Sequence, residues 1–142
     1  MIPPRIFTLR EAEATLPLVR RIVTDLRRAH PRWQELVARY EVLTGPLTAN
    51  DQEPPELIAT REAVAKEAER INGYLRELEA LGVHFKGFEL GLVDFYALRD
   101  DHLVFLCWKP DEDHITHWHE VDAGYAGRQP LDEIMHAETV NG

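Results

Sequence analysis

"GLVDFYALRDDHLVFLCWKPDEDHITHWHEV", residues 91–121, decides the fold. Before Gly82 apolar residues recur every three or four positions. In this stretch the spacing drops to two, the period of a half-buried strand. Three strands are predicted, at about 91–98, 103–109 and 115–121, separated by the turn-rich "RDDH" and "KPDEDH". Side chains alternate faces along a strand, so register decides which groups meet. If Leu98 pairs with Leu103 and Lys109 with Ile115, one face collects Val93, Phe95, Ala97, Val104, Leu106, Trp108 and Trp118. That face is nearly all apolar and is the natural core side. The other face then carries Asp94, Tyr96, Phe105, Cys107, His117 and His119, with Asp94, Cys107 and His117 in one row. A bulge in either hairpin would reverse the parity and dismantle the row.

An isolated small sheet needs a cover, and the first half of the chain supplies one. Thr8 followed by Glu11 forms a capping box and opens a long helix. Leu9, Ala12, Leu16, Val19, Val23, Leu26, His30, Trp33, Val37 and Tyr40 give it a lengthwise seam. Pro17 and Pro31 predict kinks or a break near Leu16 and His30. "TGPLTANDQEPP", residues 44–55, reads as a connection, and a second helix starts near Pro55, where a missing N–H costs nothing. Its seam runs through Leu57, Val64, Ala68, Ile71, Leu75 and Leu78, with Arg61 at one seam position and Gly82 as the stop. The expected fold is α+β: a long kinked antiparallel helical hairpin packed on a three-stranded antiparallel sheet. At 142 residues it is read as a single domain, with the hairpin at about 9–81, the sheet at about 83–121 and a glycine-containing tail at 122–142.

Sixteen Lys and Arg against 25 Asp and Glu leave a formal charge of -9, which repels a phosphate backbone. Arg21, Arg28, Arg32 and Arg39 line one stripe of helix one, but Glu62, Glu67, Glu69, Glu77 and Glu79 on the neighbouring helix favour a solvated, ion-paired face. No nucleic-acid partner is therefore expected. No apolar run reaches the roughly 18 residues of a spanning helix, so no membrane partner is expected either. One cysteine, Cys107, and a start without a leader-like segment point to the cytoplasm. The long seams, with Trp33 and Tyr40, predict self-association into a homo-oligomer.

The polar sheet face admits three readings. His117 and His119 with a carboxylate from Asp94, Glu120 or Asp122 would suit a divalent metal such as Zn, Mn or Fe, and a Cys107 thiolate would bias the set toward Zn. Cys107 with His117 as base and Asp94 as orienter has the residue types of a nucleophilic site, although cysteine beside Trp108 is more often a small buried hydrophobe. The third reading is a half-buried face of hydrogen-bonded histidines, sealed by a partner subunit. Downstream, "DAGYAGRQPL" has glycines for tight backbone turns and Arg128 to hold a carboxylate, either an anionic ligand's or that of Glu120 or Asp122. It lacks the Lys-Ser/Thr of a phosphate loop.

The chain resembles an uncharacterised prokaryotic family, the domain of unknown function twenty-two-oh-three. The resemblance spans essentially the whole chain and rests on "FTLREAEATLPLVR" at the start, "KGFELGLVDF" at 86–95, Cys107-Trp108 and above all "WHEVDAGYAGRQPL" at 118–131. It implies a small cytoplasmic bacterial or archaeal protein and no particular reaction. Glu89, Asp94, His119, Glu120, Asp122 and Arg128 lie inside these strings, and His117 lies just outside, so the resemblance ranks His119 above it.

The site expected from the sequence is thus His119, Glu120, Asp122 and Asp94 as metal ligands, with Arg128 and Glu89 as ligand or structural anchors. Two functional classes follow. One is a small metal-dependent protein, of hydrolytic type if it is an enzyme. The other is a non-catalytic module that docks an unidentified protein through the helical hairpin or a sheet edge.

Overall fold

The computed structural model of the chain describes residues 4–133 and 135. Helix α1 runs from Leu9 to Thr44 and α2 from Pro55 to Leu81. Five strands follow: β1 (His84–Phe85), β2 (Val93–Arg99), β3 (His102–Trp108), β4 (His117–Glu120) and β5 (Gln129–Pro130). They form one antiparallel sheet in chain order, and a single 3-10 turn, Tyr125–Gly127, separates β4 from β5.

The start of α1 is fixed by its capping box. Thr8 Oγ1 accepts the Glu11 N–H at 3.1 Å, and the Glu11 carboxylate accepts the Thr8 N–H at 2.9 Å. The helix then passes Pro17 and Pro31 without interruption, so of the kinks or break expected near Leu16 and His30 the break does not occur. Each proline forfeits one ladder bond, but the flanking seam is buried: Leu16, Val19, Ile22, Val23 and Leu26 are all within 4% exposure. Burial along α1 ends at Ala29, and none of the positions after it is buried. At α2 the chain enters through Pro54 and Pro55 and leaves at Gly82, whose φ of 82° closes the helix in the left-handed conformation. A side chain at Gly82 would also meet Arg5 Cβ at 2.8 Å.

The sheet has five strands where the alternation predicted three. The two extra strands are edge pieces of two residues each, too short for a period-2 signal to register, and β5 ends in a proline that an edge strand tolerates. The register of the central meander follows the alternation: Leu98 faces Leu103, Asp94 faces Cys107 and Cys107 faces His117. The β2–β3 connection is the two-residue Asp100-Asp101, both at positive φ, 53° and 64°. Two positive φ values are what a type I′ hairpin turn requires, and its twist matches that of the strands.

One sheet face packs on the helices through Val93, Phe95, Ala97, Val104, Leu106, Trp108 and Trp118, all buried with α1 residues, Ile71 and Leu78 of α2, and Met135. Phe7 donates its N–H to the Tyr96 carbonyl at 2.7 Å and sets its ring edge-on to Phe95 at 5.3 Å, which ties the N-terminal segment to β2. The hairpin therefore covers one face only. The opposite face carries the alternate residues of the same strands, among them Asp94, Cys107, His117 and His119. Residues 134 and 136–142 of the predicted tail lie outside the described residues. Among the described residues no helix is long and apolar enough to cross a membrane.

Candidate metal centre

On the face away from the helices, Asp94 of β2, Cys107 of β3 and His119 of β4 converge. One donor atom from each lies within 4.8 Å of the other two, the one such group of buried residues among those described. All three are sequestered, with exposures of 3%, 1% and 2%. Asp94 and Cys107 are direct cross-strand partners, whereas His119 is paired with Phe105 and reaches the other two diagonally. His117, which pairs with Cys107, turns elsewhere: its Nδ1 is 2.8 Å from Thr116 Oγ1 and 3.7 Å from the Glu112 carboxylate.

The tautomer of the neutral His119 ring follows from its contacts. Nδ1 lies 2.7 Å from the carbonyl oxygen of Glu120, and a carbonyl only accepts, so Nδ1 carries the hydrogen. In the neutral ring Nε2 is then a lone pair, and it faces Asp94 Oδ1 at 3.1 Å. That separation would suit a hydrogen bond, but the two atoms are not aligned for one, and Oδ1 is a buried oxygen without a hydrogen-bond partner. In that tautomer the Nε2 lone pair, the Asp94 oxygen and the Cys107 sulfur share one buried space. A buried acceptor in that position costs about 1–3 kcal/mol unless a cation or proton serves it. The lone pair, the carboxylate oxygen and the thiol sulfur form a mixed N, O and S donor set, with the histidine oriented by a carbonyl on its far nitrogen as metal-bound imidazoles are.

Cys107 is not a nucleophile in this setting. Burial above all, then the neighbouring Asp94 carboxylate, pushes its thiol up to about 12, and the Arg128 guanidinium only partly offsets this. A catalytic pair would also need His119 Nε2 to face the thiol while a carboxylate held Nδ1; here the carboxylate is on the Nε2 side. The thiol has a pH consequence in the metal-free protein. Its folded value is raised from 9.0, so the protonated thiol contributes stability below pH 9 that is lost as the pH rises towards 12. Denaturant unfolding of metal-free wild type and Cys107→Ala at about pH 8, 10 and 11 should show a steeper alkaline decline in wild type, by about 2–3 kcal/mol at pH 11. Parallel declines would show that the thiol titrates freely.

The remaining residues expected at the site are placed apart. Glu120 follows His119 on β4 and so points to the other side, where it contacts His102 Nε2 at 2.6 Å near the surface. Asp122 is exposed in the turn after β4. Glu89 is exposed too, and its backbone carbonyl accepts from Arg27. Arg128 is tied to neither Glu120 nor Asp122. It donates to both Glu112 carboxylate oxygens, at 2.7 and 2.9 Å, and to the Cys107 carbonyl at 3.2 Å. Glu112 is the residue that sequence reasoning missed. Its carboxylate also accepts the Lys109 N–H at 3.0 Å, and its carbonyl accepts from Trp108 Nε1 at 2.8 Å and Arg20 at 2.9 Å. The available signal was the i to i+3 spacing of Lys109 and Glu112 across a turn that contains a proline.

A cavity of about 250 Å³ opens over the three donors, walled by Leu92, Phe105 and Val121, with Lys86 on one side and Gly124 and Tyr125 on the other. Gly124, at φ 67°, makes the turn that carries Tyr125 to this wall. The molecule is therefore an α+β protein with a buried Asp-Cys-His cluster beneath a small open cavity, on the sheet face away from its helices. It belongs to the family of uncharacterised conserved proteins DUF2203, whose family model matches residues 5–131. No curated protein and no solved structure matches the chain.

Proposed function

We propose that this chain is a zinc protein, with the ion held by Asp94 carboxylate, Cys107 thiolate and His119 Nε2. The observation that carries the reading is the convergence of three buried donors, with Asp94 Oδ1 3.1 Å from His119 Nε2 and one donor atom of each residue within 4.8 Å of the other two. Sulfur with nitrogen and oxygen favours zinc over manganese or iron. Zinc bonds of about 2.0–2.3 Å place tetrahedral ligands about 3.3–3.8 Å apart. Donors within 4.8 Å therefore need to close by about 1 Å, which side-chain rotation supplies.

Three protein ligands leave one position open, as in zinc sites that act on a bound molecule rather than in closed structural ones. When bound, zinc supplies Lewis acidity towards an oxygen of that molecule, the chemistry of hydrolytic sites. The protein's own part is to keep water scarce around the donors, to fix the imidazole through the Glu120 carbonyl and to place Arg128 beside the sulfur, where a positive charge favours thiolate.

Elemental analysis of protein purified without an affinity tag should give one zinc per chain, and metal-free protein should take up one equivalent. His119→Gln and Cys107→Ser should each weaken uptake at least a hundredfold with the far-UV spectrum retained. Wild-type protein that never binds zinc, manganese or iron would end this reading and leave the non-catalytic interaction module in its place.

A further inference from the structure

Lys86 follows the short strand β1 and has its backbone pinned by a 2.8 Å hydrogen bond from its N–H to the Leu92 carbonyl. Its ammonium lies over the Phe105 ring, 5.1 Å from the centroid, and that same ring is 5.5 Å from the His119 imidazole. A lysine on a chain of net charge -9 finds carboxylates easily, yet none of the described acids forms an ion pair with this one. It is also the one cation lining the cavity over Asp94, Cys107 and His119. The aromatic face holds the charge at the cavity wall, where an ammonium free in solvent would have no reason to stay.

Charge balance over the metal site points the same way, and this step rests on the zinc reading. Zinc with one carboxylate, one thiolate and a neutral imidazole is uncharged, so an anion in the open position adds one uncompensated negative charge to a buried site. Lys86 is placed to compensate it. A second observation gives the anion room for a larger body: Lys86 also lines a groove of about 1000 Å³ between the end of α2, β1 and the N-terminal segment, together with Arg5, Arg76, Phe85 and Tyr96. Arg5 and Arg76 have partners already, the Leu81 carbonyl and Glu69. Lys86 stands on the divide between groove and cavity, with no such commitment.

We infer that the open position is completed by the anionic oxygen group, carboxylate or phosphate, of a small organic molecule, with that group held between the metal and Lys86 Nζ and the remainder lying along the groove. The ammonium acts as a positioning group for the ligand and takes no part in holding the metal.

Cobalt substitution tests this without knowledge of the natural ligand. Metal-free protein is loaded with Co²⁺, the thiolate-to-cobalt absorption is recorded, and inorganic phosphate and acetate are titrated in separately while the visible bands are followed. A saturable spectral change with at least one anion is expected in wild type. It should be at least tenfold weaker in Lys86→Met, which should bind Co²⁺ with unchanged stoichiometry. The anion that responds identifies which oxygen group the site takes. A normal thiolate band with no response to either anion, or equal anion affinity in wild type and Lys86→Met, would overturn the anion site and leave the metal site standing. Failure of the thiolate band to form at all would overturn the metal reading itself, and the anion site with it.

Discussion

Arg128→Ala is expected to lower the unfolding free energy by about 3–5 kcal/mol, the range found when one partner of a buried ion pair is removed. The pair with Glu112 is nearly sequestered, with side-chain exposures of 10% and 15%, so the remaining carboxylate has little water to turn to. It would keep the Lys109 N–H and a 3.3 Å contact from Thr116 Oγ1, but no opposite charge of comparable burial. Because a domain of this kind is held by about 5–15 kcal/mol in total, the loss is a large share of its stability. Glu112→Gln in the Arg128→Ala background should recover part of it, since the orphaned charge is then gone. Chemical denaturation of the two single variants and the double variant measures the coupling directly. A single-variant cost below about 1 kcal/mol would mean that the pair behaves like a solvated surface bridge.

Trp108→Ala is expected to cost about 3–5 kcal/mol as well, through a different mechanism. The indole is fully buried on the core face of β3, its Nε1–H is bonded to the Glu112 carbonyl, and the Arg20 guanidinium sits over its ring at 5.0 Å while donating to the Pro110 and Glu112 carbonyls. Truncation removes the largest fully buried side chain and leaves a cavity in the core. Trp108→Phe keeps most of the volume and loses one hydrogen bond, for about 1–2 kcal/mol. Thermal and denaturant unfolding should therefore rank wild type above Trp108→Phe and Trp108→Phe well above Trp108→Ala. Equal destabilisation by the two substitutions would place the cost in the hydrogen bond and not in packing.

The central meander was legible in the sequence because three signals agreed: alternation over each strand, two turn-rich connections, and a core face that is apolar only in one register. Had Leu98 and Leu103 not been opposed, Asp94 or His119 would have faced the helices. The two edge strands were illegible for want of length. So was the continuity of α1: a proline's local cost is visible in the sequence, while the burial of Val19, Ile22 and Val23 around it is a tertiary effect. At the site, Asp94 and His119 belong to the expected set and do meet, whereas Glu120, adjacent to His119, points away because successive strand residues must. The row of Asp94, Cys107 and His117 follows from drawing the sheet flat, and that register is observed. In the twisted sheet it is the diagonal neighbour, His119, whose donor atom reaches both. Lys86 and Glu112 lie outside any periodic element, on a connection and in a turn, where pattern carries no information about what a side chain will touch.

Sheet order and chain order are identical here, and the helical pair is likewise joined to its nearest neighbour. Nearly every pairing is consequently made between segments that are close along the chain, a topology associated with rapid folding because little loop entropy is lost before contacts reward it. The three donors come from consecutive strands within residues 94–119 and converge as soon as that meander zips up. The contacts of the N-terminal part with the sheet span far more chain: Phe7 bonds to Tyr96, and Arg20 reaches the carbonyls of Pro110 and Glu112. The proposed ligands thus need only one meander of neighbouring strands to meet, whereas the cover over that meander depends on contacts about ninety residues apart.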